Sequence, residues 1–214
     1  MNDSLRFNRR QISRLFWETI ESYHFHTLPP DDYFEGLRDQ ATYNTGSLHR
    51  EDMADVMDIV AYFRPTLIAE VGTFIGRSTY SLAVGSGDKA TVYTCDASND
   101  IKLPPMPEGA ARVVQFPNTT STDMFKSLLA DKNLGRKIDL FYIDGRVSEE
   151  DKALMLQLSN DRTIIVLDDF EGVEKGVANG MLLGTPNHLL IYPRTPDGKT
   201  ALLVPIQLLQ LTAQ

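Results

Sequence analysis

From Thr66 onward the chain is a series of short apolar runs, most of which close on a carboxylate. The runs are TLIAEVG (66–72), ATVYTCD (90–96), ARVVQF (111–116), KIDLFYID (137–144) and RTIIVLDD (162–169). Runs this short, unbroken by polar alternation, read as strands buried on both faces. Between them, RSTYSLAVG (77–85) and the stripe Met124, Leu128, Leu129 carry helical spacing. Strands alternating with helices predict an α/β fold: a Rossmann-like, doubly wound, mostly parallel sheet with helices on both faces. The proline-rich stretch after Asp96 argues against an ordinary crossover helix there. Two further runs, HLLIYP (188–193) and TALLVPIQLLQL (200–211), flank RTPDGK. That spacing predicts a C-terminal antiparallel hairpin, with Gly198 at positive φ and Pro205 at an edge or a bulge.

Upstream, Ile12, Leu15, Phe16 and Ile20 form one helical face, and LPPDD (28–32) breaks the helix. Residues 33–46 read as an irregular arm. A second helix carries Met53, Val56, Met57, Val60 and Phe63 on one stripe and stops at Pro65. Phe16 and Trp17 suit core packing, or else a homodimer contact. With 42% hydrophobic and 23% charged residues the chain has the composition of a globular domain, without internal repeats. A net charge of −8 disfavours phosphate backbones, so no nucleic-acid partner is expected. The basic group Arg6, Arg9, Arg10 and Arg14 reads as a solvated helix face. Cys95, the one cysteine, lies within a strand and reads as a packed thiol. No run reaches the ~20 apolar residues of a membrane span, so no membrane partner is expected. The first residues lack the apolar core of a secretory signal, which makes the cytosol the expected location.

The strand-end acids are Glu70, Asp96, Asp144, Asp168 and Asp169. In a parallel sheet these ends share the edge where α/β proteins bind ligands. Five carboxylates on one rim repel each other unless positive charge is present, which points to a cationic cofactor, a metal, or both. Helix capping is the competing explanation for any single one of them. The first loop, Glu70-Val71-Gly72-Thr73-Phe74-Ile75-Gly76-Arg77-Ser78, is a glycine-bearing strand-to-helix turn. Its glycines admit close approach of a ligand to Gly72, Thr73 and Gly76, and Ser78 offers a hydroxyl near a helix N-terminus. The spacing is not the G-x-G-x-x-G of dinucleotide sites. Asp96 can accept both ribose hydroxyls of an adenosine ligand, in NAD as in other nucleosides. Asn118 is placed for an adenine edge, or for a simple turn.

Taken in order, AEVGTFIGRST, YIDG (142–145) and VLDDFEGVEKGV (166–177) resemble class I S-adenosylmethionine (SAM)-dependent methyltransferases. The similarity is to the catechol/caffeoyl-CoA O-methyltransferases and to related enzymes that methylate natural-product sugars. It spans roughly residues 46–177. The resemblance implies an N-terminal helical arm or lid over 1–46 and a methyltransferase domain over 47–214, built as one unit. It implies that Glu70, Gly72, Thr73, Gly76, Ser78, Asp96, Asn118 and Asp144 bind SAM. It also implies that Asp144, Asp168 and Asp169 hold a divalent ion; their oxygen-only character favours Mg²⁺ over zinc, and Ca²⁺ or Mn²⁺ could also fit. A metal chelating the acceptor oxygen would lower its pKa and aim it at the methyl group.

The chain departs from both groups at Val147, where they carry Lys or His three residues after the first metal aspartate. Asp144 and the neighbouring Arg146 are then the catalytic candidates, Arg146 as an anion clamp rather than a base. His24, His26 and His49 could reach the crevice as a lid, or be ordinary surface or core histidines. The expected substrate is a small hydroxylated molecule, in a pocket near Tyr43, Gly46 and Phe170. Alternatives are an NAD-dependent oxidoreductase and a protein that binds SAM without catalysis. YIDG lacks the N/D-P-P-Y/F string of nucleic-acid amino-methylating enzymes.

Overall fold

A computed structural model describes residues 8–23, 28–30, 32–38, 48–98, 103–171 and 173–209. Its centre is a seven-stranded sheet ordered β3-β2-β1-β4-β5-β7-β6. The strands are β1 (Leu67–Val71), β2 (Thr91–Cys95), β3 (Arg112–Phe116), β4 (Leu140–Ile143), β5 (Ile164–Leu167), β6 (His188–Ile191) and β7 (Ala201–Pro205). β1 to β5 pair in parallel, and β7 runs antiparallel to both β5 and β6. This is the doubly wound α/β sheet with a C-terminal hairpin that the apolar runs predict.

Side-chain alternation divides the core in two. Ile68, Leu140, Tyr142, Val166 and Leu202 face α1 (Arg9–Ile20), α3 (Arg50–Phe63) and α4 (Arg77–Ser86). Ala69, Phe141, Ile143, Ile165 and Leu203 face α5 (Ser121–Ala130), α6 (Glu149–Leu158) and α7 (Gly176–Leu183). The central strands are therefore apolar at nearly every step, as a sheet covered on both sides requires.

Local chemistry sets the helix ends. Asn8 and Gln11 cap α1 reciprocally, at 3.0 and 2.8 Å, and Ser148 with Asp151 does the same for α6. α3 ends where Arg64 turns left-handed (φ 51) ahead of Pro65. Phe16 and Trp17 are buried against α3 and the hairpin, and the Trp17 indole donates to the Tyr192 carbonyl at 2.8 Å. Core packing accounts for both side chains.

Several expectations are corrected. The segment read as an irregular arm contains α2 (Asp32–Arg38), pinned by buried Phe34 edge-on to Tyr80. β7 is an interior strand rather than an edge. Pro205 is tolerated as its last residue because pairing with β5 extends only to Leu203. The hairpin turn is closed by the Gly198 N–H donating to the Thr195 carbonyl at 3.1 Å. Gly198 is not left-handed; it is needed for space, since a Cβ would lie 3.2 Å from the Pro193 Cβ. α6 and α7 have no clear apolar stripe. α7 forms because Gly180 lets it press against Leu167 and Phe170, where a Cβ would lie 3.1–3.2 Å from them. No helix among the described residues is long and apolar enough to cross a membrane.

Candidate active site

At the carboxyl edge of the sheet, a cavity of about 720 Å³ opens over the ends of β1, β2, β4 and β5. Its place follows from the strand order. The chain leaves β1 toward β2 and β3, then returns to β4 on the other side, so the connections diverge and expose a crevice. The β1 and β4 loops touch backbone to backbone. A Cβ on Gly72 would lie 3.2 Å from the Asp144 Cβ, and one on Gly145 would lie 2.7 Å from Val71.

The β1–α4 loop is held in a costly shape. Gly72 (φ 99), Phe74 (φ 44) and Gly76 (φ 75) are all left-handed, which for Phe74 carries strain. Asp96 holds it there. One carboxylate oxygen accepts from the Thr73 and Phe74 N–H groups at 3.1 and 2.9 Å, and the other from Ser98 N–H at 2.8 Å. Beneath the loop the hydroxyls of Thr73 and Thr94 share a hydrogen bond of 2.5 Å. Thr73, Gly76 and Ser78 thus shape the loop without lining the cavity, whereas Gly72 and Asp96 do line it.

Residues 69–170 match a sequence family described as a methyltransferase domain. This chain contains a methyltransferase domain. Solved structures agree on the fold. An O-methyltransferase from Bacillus cereus in complex with SAH matches with TM-score 0.61 and 17% identity, over 87% of this chain and 97% of that one. The O-methyltransferase TomG from Streptomyces achromogenes, involved in tomaymycin synthesis and solved with SAM, gives TM-score 0.59 and 16% identity over 90% and 98% of the two chains. An SAH-bound methyltransferase from Podospora anserina gives 0.56 and 14% over 96% and 99%. At these identities the likeness establishes the class I methyltransferase fold. No curated protein matches by sequence.

Within this methyltransferase fold, four of the five strand-end acids reach the cavity: Asp96, Asp144, Asp168 and Asp169. Glu70 does not. It is the penultimate residue of β1, on the face that α4 covers, and it is fully buried. One of its oxygens accepts from the Thr79 hydroxyl at 2.6 Å, while the other is buried without a hydrogen-bond partner. Burial, reinforced by the charge of Asp144, pushes its pKa up to about 7 against the opposing pull of the Ser78, Thr79 and Thr94 hydroxyls. Asn118 stands on the surface in a left-handed turn (φ 49), while Thr119, Thr120 and Ser121 line the cavity instead. The turn explanation holds for it.

Asp144, Asp168 and Asp169 converge, each offering a carboxylate oxygen within 4.8 Å of the others. None of the three caps a helix; the residue preceding α7 is Lys175. Lys175, which is not among the expected site residues, completes the cluster. Its ammonium pairs with Asp144 and, at 2.5 Å, with Asp169. Burial works to lower the Lys175 pKa, but the charges of Asp144 and Asp169 outweigh it and raise the value. Burial raises Asp144, and raises Asp168 far above the carboxylate range, where the charges of Asp144 and Asp169 add to the effect. One Asp168 oxygen is buried with no hydrogen-bond partner.

Arg146 is at the mouth, largely exposed and paired with Glu174 at 3.3 Å. His49 lines the cavity beside Leu48, whereas His24, His26, Tyr43 and Gly46 lie outside the described residues. Phe170 packs edge-on to Tyr192, away from this cavity. Cys95 is a packed thiol whose pKa burial pushes up to about 12.

Proposed function

We propose that the protein transfers a methyl group from SAM to a hydroxyl oxygen of a small molecule. The observation that carries this reading is the acid-floored cavity at the β1/β4 crossover within a methyltransferase domain. When bound, SAM supplies a methyl group on a positively charged sulfonium. Acidic side chains from three strand ends, Asp96, Asp144, Asp168 and Asp169, line the cavity, where they can face that charge. Gly72, packed against Asp144, lines the cavity with backbone alone. The Asp96 oxygens, although they accept backbone N–H groups, keep lone pairs for ribose hydroxyls. Glu70 acts from below, by holding Thr79 at the start of α4. The cavity lies within the 300–1,000 Å³ range usual for small-molecule sites, which supports a small acceptor rather than a macromolecule. Two of the solved structures that share the fold are O-methyltransferases bound to SAH or SAM.

The divalent ion that the resemblance implies meets a divided site. The donors are all oxygen, and the unpartnered Asp168 oxygen favours a hard cation. Yet Mg²⁺ holds its ligands at about 2.1 Å, and the Lys175 ammonium is already bonded to two of the three carboxylates. The residues as arranged do not fit both cations, so no step is assigned to a metal.

Thermal unfolding with SAM, SAH (its demethylated product) and NAD tests the reading. A ligand at 100-fold its Kd stabilises by about 2.7 kcal/mol, roughly 5–10 °C for a chain this long. SAM and SAH should produce that shift and NAD none. A shift with NAD alone would replace the reading with an oxidoreductase. A shift with SAM but no methyl transfer to any of a panel of phenols, catechols and sugars would favour a binding protein.

A further inference from the structure

We propose that Lys175 is the built-in cation of this site, standing where a divalent ion would otherwise bridge Asp144 and Asp169, so that the site works without a metal. The inference rests on the methyltransferase reading and deepens it.

Three independent features place the ammonium there. The first is the start of α7, which is clamped onto the end of β5. A Cβ on Gly176 would lie 2.5 Å from the Asp168 carbonyl oxygen and 2.7 Å from the Asp169 carbonyl, so the residue after Lys175 has to be glycine. Second, Asn179, one turn further on, is bonded to the other strand end. Its amide donates to the Gly145 carbonyl at 2.8 Å and accepts from Val147 N–H at 3.3 Å. The base of Lys175 is therefore fixed to both loops that carry the acids. Third, the position after Asp144 where a basic residue is expected holds Val147, which packs with the core between the sheet and α5 to α7. The basic group that Val147 does not supply comes instead from the residue before α7, and its nitrogen pairs with Asp144.

The charge balance follows. The Asp144 and Asp169 carboxylates, with oxygens within 4.8 Å of each other, need a counter-charge. A tethered ammonium supplies one without the loss of freedom that capturing an ion from solution entails. Its three N–H donors exceed the two contacts to Asp144 and Asp169, leaving one for an acceptor oxygen. Lys175 lines the cavity, so that oxygen can approach. Lys175 is thus a positioning group for the carboxylates and a candidate contact for the acceptor.

The test is Mn²⁺ binding to the full chain, read by electron paramagnetic resonance and by Tm, alongside SAH titration of the same samples. The wild-type chain should take up no Mn²⁺ at millimolar concentration, and chelator should leave SAH binding unchanged. Lys175→Met keeps the length and removes the charge, so it should bind Mn²⁺ roughly tenfold or more tightly and gain Tm with it. Mn²⁺ binding by the wild-type chain that Asp169→Asn abolishes would overturn the proposal, and that arm needs no Lys175 variant to fold. A folded Lys175→Met chain that stays blind to Mn²⁺ would also overturn it. If SAH fails to bind the wild-type chain, the functional reading falls, while the Mn²⁺ result still decides the role of Lys175.

Discussion

Glu70→Gln isolates one buried charge. In the folded protein the Glu70 pKa is pushed up to about 7, mainly by burial, against an ordinary value of 4.5. Between those values the folded chain holds a proton that the unfolded chain has released. Unfolding then releases a proton, and stability falls as pH rises from about 4.5 to 7, levelling off above. At 1.36 kcal/mol per pH unit, the loss due to this residue is about 3 kcal/mol. The substituted glutamine cannot ionise, yet its side-chain carbonyl can still accept from the Thr79 hydroxyl, which lies 2.6 Å from the native carboxylate. An unpartnered side-chain amide would add a fixed penalty of about 1–3 kcal/mol. That penalty does not vary with pH, and acids remote from Glu70 titrate equally in both chains. The difference in unfolding free energy, variant minus wild type, should therefore rise by about 3 kcal/mol between roughly pH 4 and pH 8. Urea titrations followed through buried Trp17, the single tryptophan, measure it directly. A difference that stays flat within about 0.5 kcal/mol would refute the assignment of a buried, proton-holding carboxyl.

Two packing predictions follow from the face that carries Glu70. Gly85→Ala would set a Cβ 2.3 Å from Val60 Cγ2 and 3.1 Å from the Met57 backbone. It should cost about 1–3 kcal/mol in urea unfolding, and adding Val60→Ala should recover enough that the double variant loses less than the two separate losses would sum to. Trp17→Phe leaves the Tyr192 carbonyl without its 2.8 Å donor and should lower stability by about 1–3 kcal/mol in thermal unfolding.

The strands were legible because burial on both faces leaves an almost unbroken apolar run. Ile68 to Val71 and Leu140 to Ile143 satisfy opposite helix layers at alternate residues. The acids at the ends of β2, β4 and β5 were legible for the same reason, since a carboxylate that terminates such a run emerges at the edge. Glu70 broke the pattern by a single residue. It lies one step before the strand end, so its direction is set by the pleat rather than by the loop, and α4 covers it. α7 was hidden because its glycines lower helix propensity, and its stability comes from contact with Leu167 and Phe170. Lys175 was hidden too. Its sequence distance from Asp144 says nothing of a pairing made by α7 docking on two strand ends. The signal that could have revealed it was the combination of a D-D pair, a lysine six residues on, and Val147 where a basic residue was due.

A crystal structure of the protein soaked with SAH tests the site most directly. The nucleoside should lie in the cavity at the ends of β1 and β4, its ribose at Asp96 and its sulfur facing the acids around Lys175. SAH lodged anywhere else, or a metal ion between Asp144 and Asp169 with Lys175 turned away, would contradict this arrangement.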